Sequence, residues 1–293
     1  MRHHAGPTLA RSPLTSDSMA FLSPGESRVS DTPTEMARFR LTVMSAAEPT
    51  RRHDTGSSLS LVVVQDEPQW CPYLNDRMAR MPLELPIARM RPEQLDDVLA
   101  SGYRRSGNFV YRTQCPDCCQ CRPTRVDPRN FPLRSSFRRV LRRGESHLCD
   151  QWAPPSVDSD RVALFNTHRD SRQLGGDDRC PVTPTSYRSF LVDSCCDTLE
   201  LSMRCRRDGR LLGIAIVDVG RTSLSAVYTH FHPDASRLSI GTYAILRQIQ
   251  WAADRQMRWV YLGMYVADNP HLNYKARFTP QERLIDGRWV TPQ

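Results

Sequence analysis

The sequence predicts an α+β protein in which a sheet domain follows a small cysteine-rich domain. Three observations carry that prediction. Three runs in the second half, "TLELSMRC" (198–205), "LLGIAIVDVG" (211–220) and "SLSAVYTHF" (223–231), read as consecutive strands parted by the turn tripeptides "RDG" and "GRT". The period then changes: in "IGTYAILRQIQWAADRQ" (240–256) Ala244, Ile245, Ile249 and Ala252–Ala253 recur at helical spacing, before "RWVYLG" (258–263) returns to a strand. In the first half, "YRTQCPDCCQCRP" places Cys115, Cys118, Cys119 and Cys121 within seven residues.

The elements follow in order. Residues 1–65 are rich in Ser, Thr, Pro and Arg and read as a disordered N-terminal extension, within which "LSLVVV" can still form a strand. Met19, Met36 and Met44 each offer an alternative start. Order begins near Trp70. "RPEQLDDVLASG" (91–102) reads as a helix, with Pro92 in its first turn and Gly102 as its stop. "NFVYRT" (108–113) is strand-like, and "FRRVLRRG" (137–144) is a basic helix ended by its glycine. The Pro/Ser/Asp stretch "DQWAPPSVDSD" (150–160) marks a boundary, giving a cysteine-rich basic domain over 66–150 and a sheet domain over 151–293.

Composition narrows the class. A 293-residue chain with 39% hydrophobic and 25% charged residues fits a soluble globular protein. A net charge of +8 points to a polyanionic partner, nucleic acid first. Apolar runs such as "LVVV" are too short to span a bilayer, so no membrane partner is expected. The N-terminus lacks the apolar centre of a signal peptide, and ten crowded cysteines suit a reduced compartment, so cytoplasm is the expected location.

The sulfur run has ligand spacing. Cys115, Cys118 and Cys121 form C-x2-C-x2-C, and Cys71 lies 44 residues upstream. Four thiolates close a tetrahedral shell for zinc or an iron–sulfur cluster, with Cys119 as an alternative ligand. Cys149, Cys180, Cys195, Cys196 and Cys205 read as packing residues.

Basic residues concentrate around this run. Residues 71–150 carry 15 Arg against 9 Asp/Glu. On a helix, Arg138 stacks on Arg142 and Arg139 on Arg143, a repulsive arrangement that phosphates relieve. Arg104, Arg105 and Arg112 lie near Tyr103 and Tyr111, two rings able to stack on bases. Against 39 arginines stands one lysine, Lys275. A compact ammonium differs from a planar guanidinium in tunability and reach, which marks that position for attention.

Together, "CPYL", "YRRSGNFVYRTQCPDCCQC", "SSFRRVLRR", "SLSAVYTHFHPDASRLSIGTYAILRQIQWA", "YLGMYV" and "NYKARFTP" resemble the aminoacyl-tRNA–protein transferases of the N-degron pathway. The resemblance runs from about residue 70 to 285, in the family's order. It implies an acetyltransferase-like (GNAT) second half that uses a charged tRNA in place of acyl-CoA. It also implies transfer of an amino acid to the α-amine of proteins beginning with Asp or Glu. The compact length resembles the bacterial leucyl branch more than the arginyl one. The chain departs from the family at Phe231-His232-Pro233, Ser239-Ile240-Gly241 and Met264, and His232 replaces a carboxylate.

Site roles follow from the chemistry and the resemblance together. Lys275, Tyr228 and Tyr274 are the catalytic candidates, with the strand carboxylates Glu200 and Asp218 as lesser ones. Arg138, Arg139, Arg142 and Arg143, with Ser239, Gly241 and Thr242 at a helix N-terminus, are the expected tRNA contacts. Arg104, Arg105 and Arg277 are expected to bind the acceptor's acidic side chain. The enzyme is expected to act as a monomer. Two other classes compete: a cysteine-cluster nucleic-acid binder without chemistry, and an acetyl-CoA-dependent N-acetyltransferase. Lys275 and the strand–SIG–helix unit weigh against the first, and the arginine-rich helix against the second.

Overall fold

The computed structural model describes residues 52–54, 59–172 and 180–292. Of the expected extension, residues 1–51 and 55–58 lie outside the described residues. In chain order the first elements are β1 (Arg52–Asp54), β2 (Ser60–Gln65), β3 (Gln69–Trp70), β4 (Met78–Ala79), β5 (Leu83–Pro86), α1 (Pro92–Ala100), β6 (Arg104–Ser106) and β7 (Phe109–Tyr111). There follow β8 (Arg122–Val126), α2 (Ser135–His147), β9 (Leu148–Ala153), α3 (Ser159–Arg172) and α4 (Pro184–Tyr187). The chain closes with β10 (Thr198–Cys205), β11 (Leu211–Val219), β12 (Ser223–Phe231), α5 (Ile240–Asp254), β13 (Trp259–Tyr265), β14 (Glu282–Ile285) and β15 (Arg288–Val290).

Strands and helices share one α+β body. A five-stranded sheet runs β1-β2-β5-β7-β6, β3 pairs with β4, and an eight-stranded sheet runs β15-β14-β8-β13-β12-β11-β10-β9. The expected boundary at 150/151 falls inside β9, which pairs antiparallel with β10. β8 likewise joins the large sheet between β14 and β13. Among the described residues, no helix is long and apolar enough to cross a membrane.

β11 explains why its sequence is apolar nearly throughout. Leu212, Ala215 and Val217 join the core under α2 and α5, whereas Leu211, Ile214 and Ile216 join the core under α3 and α4. A strand covered on both faces has no solvent side on which to alternate. Each such aliphatic side chain contributes about 1.5–3 kcal/mol on burial.

Two glycines play different parts. Gly102 ends α1 with φ +87°, and a Cβ there would lie 2.6 Å from Leu284 Cδ2. Gly144, expected to stop the basic helix, does not: α2 continues to His147. A Cβ at Gly144 would fall 2.1 Å from the Tyr243 ring, so this glycine lets α2 and α5 approach closely. A helix interior tolerates that glycine, at a cost of about 0.5–1 kcal/mol, because the ring fills its place.

Candidate active site

The site begins where two parallel strands part. β12 and β13 pair only at Ser223–Trp259, Leu224–Val260 and Ser225–Tyr261. Beyond that point each strand is bulged. On β12 the register shifts so that Ala226 faces Val217 and Tyr228 faces Ile216, leaving Val227 outside the ladder. On β13 Tyr261 faces Arg125 and Gly263 faces Thr124, leaving Leu262 outside it. The cleft between them measures about 600 Å³ including its open mouth, and its lining includes Arg104, Arg105, Tyr228 and Lys275.

Two cations meet there from remote parts of the chain. The Lys275 ammonium, 6% exposed, donates to Met264 O at 2.7 Å on β13. The Arg104 guanidinium donates to Ser225 Oγ at 3.0 Å and to Ala226 O on β12. A carbonyl from each parted strand is thus held by a cation. Gly263, at φ +91°, lies between them: a Cβ there would come 3.4 Å from Arg104 Nη2 and 3.7 Å from Lys275 Cε. Glycine at this point gives the two cations a common floor.

Arg105 does different work from its neighbour. Its guanidinium lies 2.8 Å from Asp218 in a buried ion pair and also donates to Gly107 O (2.9 Å) and Asp193 O (3.4 Å). Burial opposes its charge, but the Asp218 carboxylate more than compensates and holds its pKa above the ordinary value. Asp218 is therefore the counter-ion of Arg105, and Glu200 is that of Arg161, 2.6 Å away. Both carboxylates are committed to ion pairs.

The aromatic candidates divide. Tyr228 lines the cleft and packs against Phe190 (ring centroids 5.5 Å apart) and Phe165 (5.6 Å). Tyr274 lies in the short turn Asn273–Arg277, with Lys275 Nζ 5.4 Å from its ring, and packs edge-on to Phe278. Arg277 is exposed on that turn and is not among the residues lining the cleft. The sequence reading missed Phe190, Leu262 and Gly263. Only Gly263 left a signal, a glycine inside a strand pattern, which marks a bulge or a close approach.

The expected tRNA contacts lie on α2 and at the start of α5. Arg138, Arg139, Arg142 and Arg143 are exposed, while Phe137 and Leu141 on the other side of α2 enter the core. Arg143 donates to Arg237 O at 2.7 Å, tying α2 to the turn Pro233–Leu238 that leads into α5. Ser239 stands before α5 in the left-handed region (φ 54°, ψ 46°), and no side chain caps the helix. The anticipated capping by Ser239 or Thr242 is thus absent: the left-handed backbone turns the Ser239 side chain away from that role. A Cβ on Gly241 would make only an ordinary 3.5 Å contact with Phe231, so protein packing does not demand this glycine.

The cysteines converge without forming a metal shell. Cys71, Cys115 and Cys121 share a core cluster with Tyr73 and Tyr111. Burial pushes the Cys115 thiol up, and the neighbouring Cys118 and Cys71 push it further. As soft donors these thiols suit zinc or iron. In arrangement they do not: among the described residues no group of three or more His, Cys, Asp or Glu could hold a metal ion. They pack here as neutral side chains.

Comparison with known proteins adds an independent line. Family models described as arginine-tRNA-protein transferase, N terminus and C terminus, match residues 69–139 and 160–285. The aspartate/glutamate leucyltransferase of Acinetobacter baumannii is 35% identical over 222 residues, covering 76% of this chain and 81% of that protein. Its counterpart in Marinobacter nauticus is 35% identical over 230 residues, covering 78% and 95%. Among solved structures, FemX aligns with a TM-score of 0.46 at 7% identity, covering 77% of this chain and 85% of FemX. A tandem GNAT protein from the clavulanic acid biosynthesis pathway aligns at 0.36 and 13% identity, covering 80% and 81%.

Proposed function

This chain belongs to the arginine-tRNA-protein transferase family, and from that premise we propose that it transfers an aminoacyl group, leucyl by preference, from charged tRNA to proteins beginning with Asp or Glu. The observation that carries the reading is the convergence of Arg104 and Lys275 over Gly263, at the parting of β12 and β13. An acceptor carboxylate between those cations exchanges their bonds to Ala226 O and Met264 O for charge-assisted ones. Its α-amine, which titrates near pH 8, needs no strong base. The amine nitrogen attacks the ester carbonyl, the carbon–oxygen bond to the terminal ribose breaks, and the amine's proton leaves with the ribose oxygen. Backbone N–H groups at the Val227 and Leu262 bulges are the donors we assign to the developing oxyanion. Holding the two substrates together supplies most of the acceleration.

Tyr228 borders the reacting groups and Tyr274 orients Lys275. Arg138, Arg139, Arg142 and Arg143 take tRNA phosphates, and the uncapped start of α5 at Ser239, Gly241 and Thr242 takes one near the 3′ end. Arg105 acts through position, and Arg277 meets the acceptor outside the cleft. Residues 66–150 and 151–293 are the two functional parts under this reading. Cys71, Cys115, Cys118 and Cys121 are the donor set assigned to zinc or an iron–sulfur cluster that braces the first part; their convergence supports it, and no reaction step runs through it. All ten cysteines are free thiols, which suits action in the cytoplasm.

The test supplies labelled Leu-tRNA or Arg-tRNA with a peptide beginning Asp. Label must reach the peptide, and an N-acetylated peptide must receive none. Failure with both donors removes the transferase reading.

A further inference from the structure

The cleft carries information about the donor as well as the acceptor. Phe190 projects into it from a single π-helical turn, Arg188–Val192, closed by a bond from Asp193 N to Arg188 O at 2.8 Å. That turn is gripped from outside. The β6–β7 tip presses on it so closely that a Cβ at Gly107 would lie 2.5 Å from Ser189 O. Arg105 donates both to Gly107 O and to Asp193 O, fixing tip and turn together. Phe190 also packs edge-on against Tyr228, with ring planes 74° apart. It is a fixed wall. π-turns of this kind recur at functional sites.

Opposite and beside Phe190 the lining is Val227, Leu262, Met264 and Leu272. The charged residues lining the cleft are Arg104, Arg105 and Lys275, with no carboxylate among them, and the Arg105 charge is already matched by Asp218 outside the lining. Such a chamber welcomes an aliphatic side chain and an anion. It is hostile to a guanidinium, which would enter apolar surroundings beside two like charges.

We propose that Phe190 and Leu262 are specificity-determining residues that seat the aliphatic side chain of the aminoacyl donor, and that the Arg104–Lys275 pair excludes a cationic donor from the same cleft. This rests on the aminoacyl-tRNA reading and adds its donor rule. Selection is thereby made by the amino acid itself, independently of the tRNA body that carries it.

The experiment uses one tRNA body charged chemically with leucine, methionine, phenylalanine or arginine, with single-turnover transfer to a peptide beginning Asp. Leucine and methionine are expected to transfer, with arginine at least about 100-fold slower. Phe190→Asp places a carboxylate in the wall and is expected to narrow the leucine-to-arginine ratio at least about tenfold. Phe190→Ala enlarges the chamber and is expected to raise phenylalanine relative to leucine. Equal rates for leucine and arginine on the same body in the unaltered protein would overturn the donor rule and leave the transferase reading standing. No transfer from any donor removes both. Variants of Phe190 that unfold cooperatively yet lower every donor by the same factor would strip that residue of its role.

Discussion

Replacing Lys275 with methionine isolates the charge from the stem. The side chain is buried, its Nζ makes a 2.7 Å bond to Met264 O, and its Cε lies beside Gly263. A hydrogen bond from a charged donor contributes about 1.5–3 kcal/mol to stability, while burying an ammonium costs several kcal/mol, so the two largely offset. Lys275→Met is therefore expected to move folding stability by no more than about 2 kcal/mol. Activity is a different matter. Losing one of two cations on the acceptor carboxylate removes about 2.7–4 kcal/mol of stabilisation, a fall in kcat/KM of about 100- to 1000-fold. Lys275→Arg is expected to recover little, because a second guanidinium would crowd Arg104 across the same glycine. The assay is single-turnover transfer from charged tRNA to a peptide beginning Asp, beside a urea melt of each variant. A Lys275→Met protein within about threefold of the unaltered enzyme, roughly 0.65 kcal/mol, would refute the assignment of the cation to the reacting groups.

Asp218→Asn leaves the buried Arg105 charge without its counter-ion and is expected to cost about 3–5 kcal/mol in urea denaturation; the double variant Arg105→Leu/Asp218→Leu should recover much of that loss. His168 sits between α3 and the end of β12, with Nδ1 3.2 Å from the Phe231 N–H that it accepts when neutral. Burial lowers its pKa to about 4, opposed by its bond to the Phe231 backbone and assisted by the charges of Arg172 and His271. Because the unfolded chain binds this proton more readily, stability is full above about pH 6.5 and falls as pH drops toward 4, by up to about 3 kcal/mol. Thermal melts across that window test it, and a His168→Gln protein with an unchanged acid slope would contradict it. Cys71→Ser is expected to reduce bound metal and stability together in protein purified anaerobically, and full metal content in that variant would contradict the four-thiol assignment.

Local pattern was enough for much of this molecule. The strands at 198–205, 211–220 and 223–231 and the helix from 240 appear at β10, β11, β12 and α5, because side-chain period is set by backbone geometry and is written into consecutive residues. The family resemblance and the importance of Arg104 and Lys275 were also legible, since they rest on motif order and residue type. Gly144 was misread because a helix-stopping glycine and a helix-crossing glycine look alike until Tyr243 lies against one of them. β8 and β9 escaped because the sheet that recruits them lies far along the chain. The sequence by itself determined the elements and the chemistry available to them. Only the tertiary structure decided that Arg104 faces Lys275 while Arg105 turns to Asp218, and that Phe190 walls the cleft. The physical reason is that adjacent residues on a strand diverge to opposite sides, and long-range pairing fixes what each side meets.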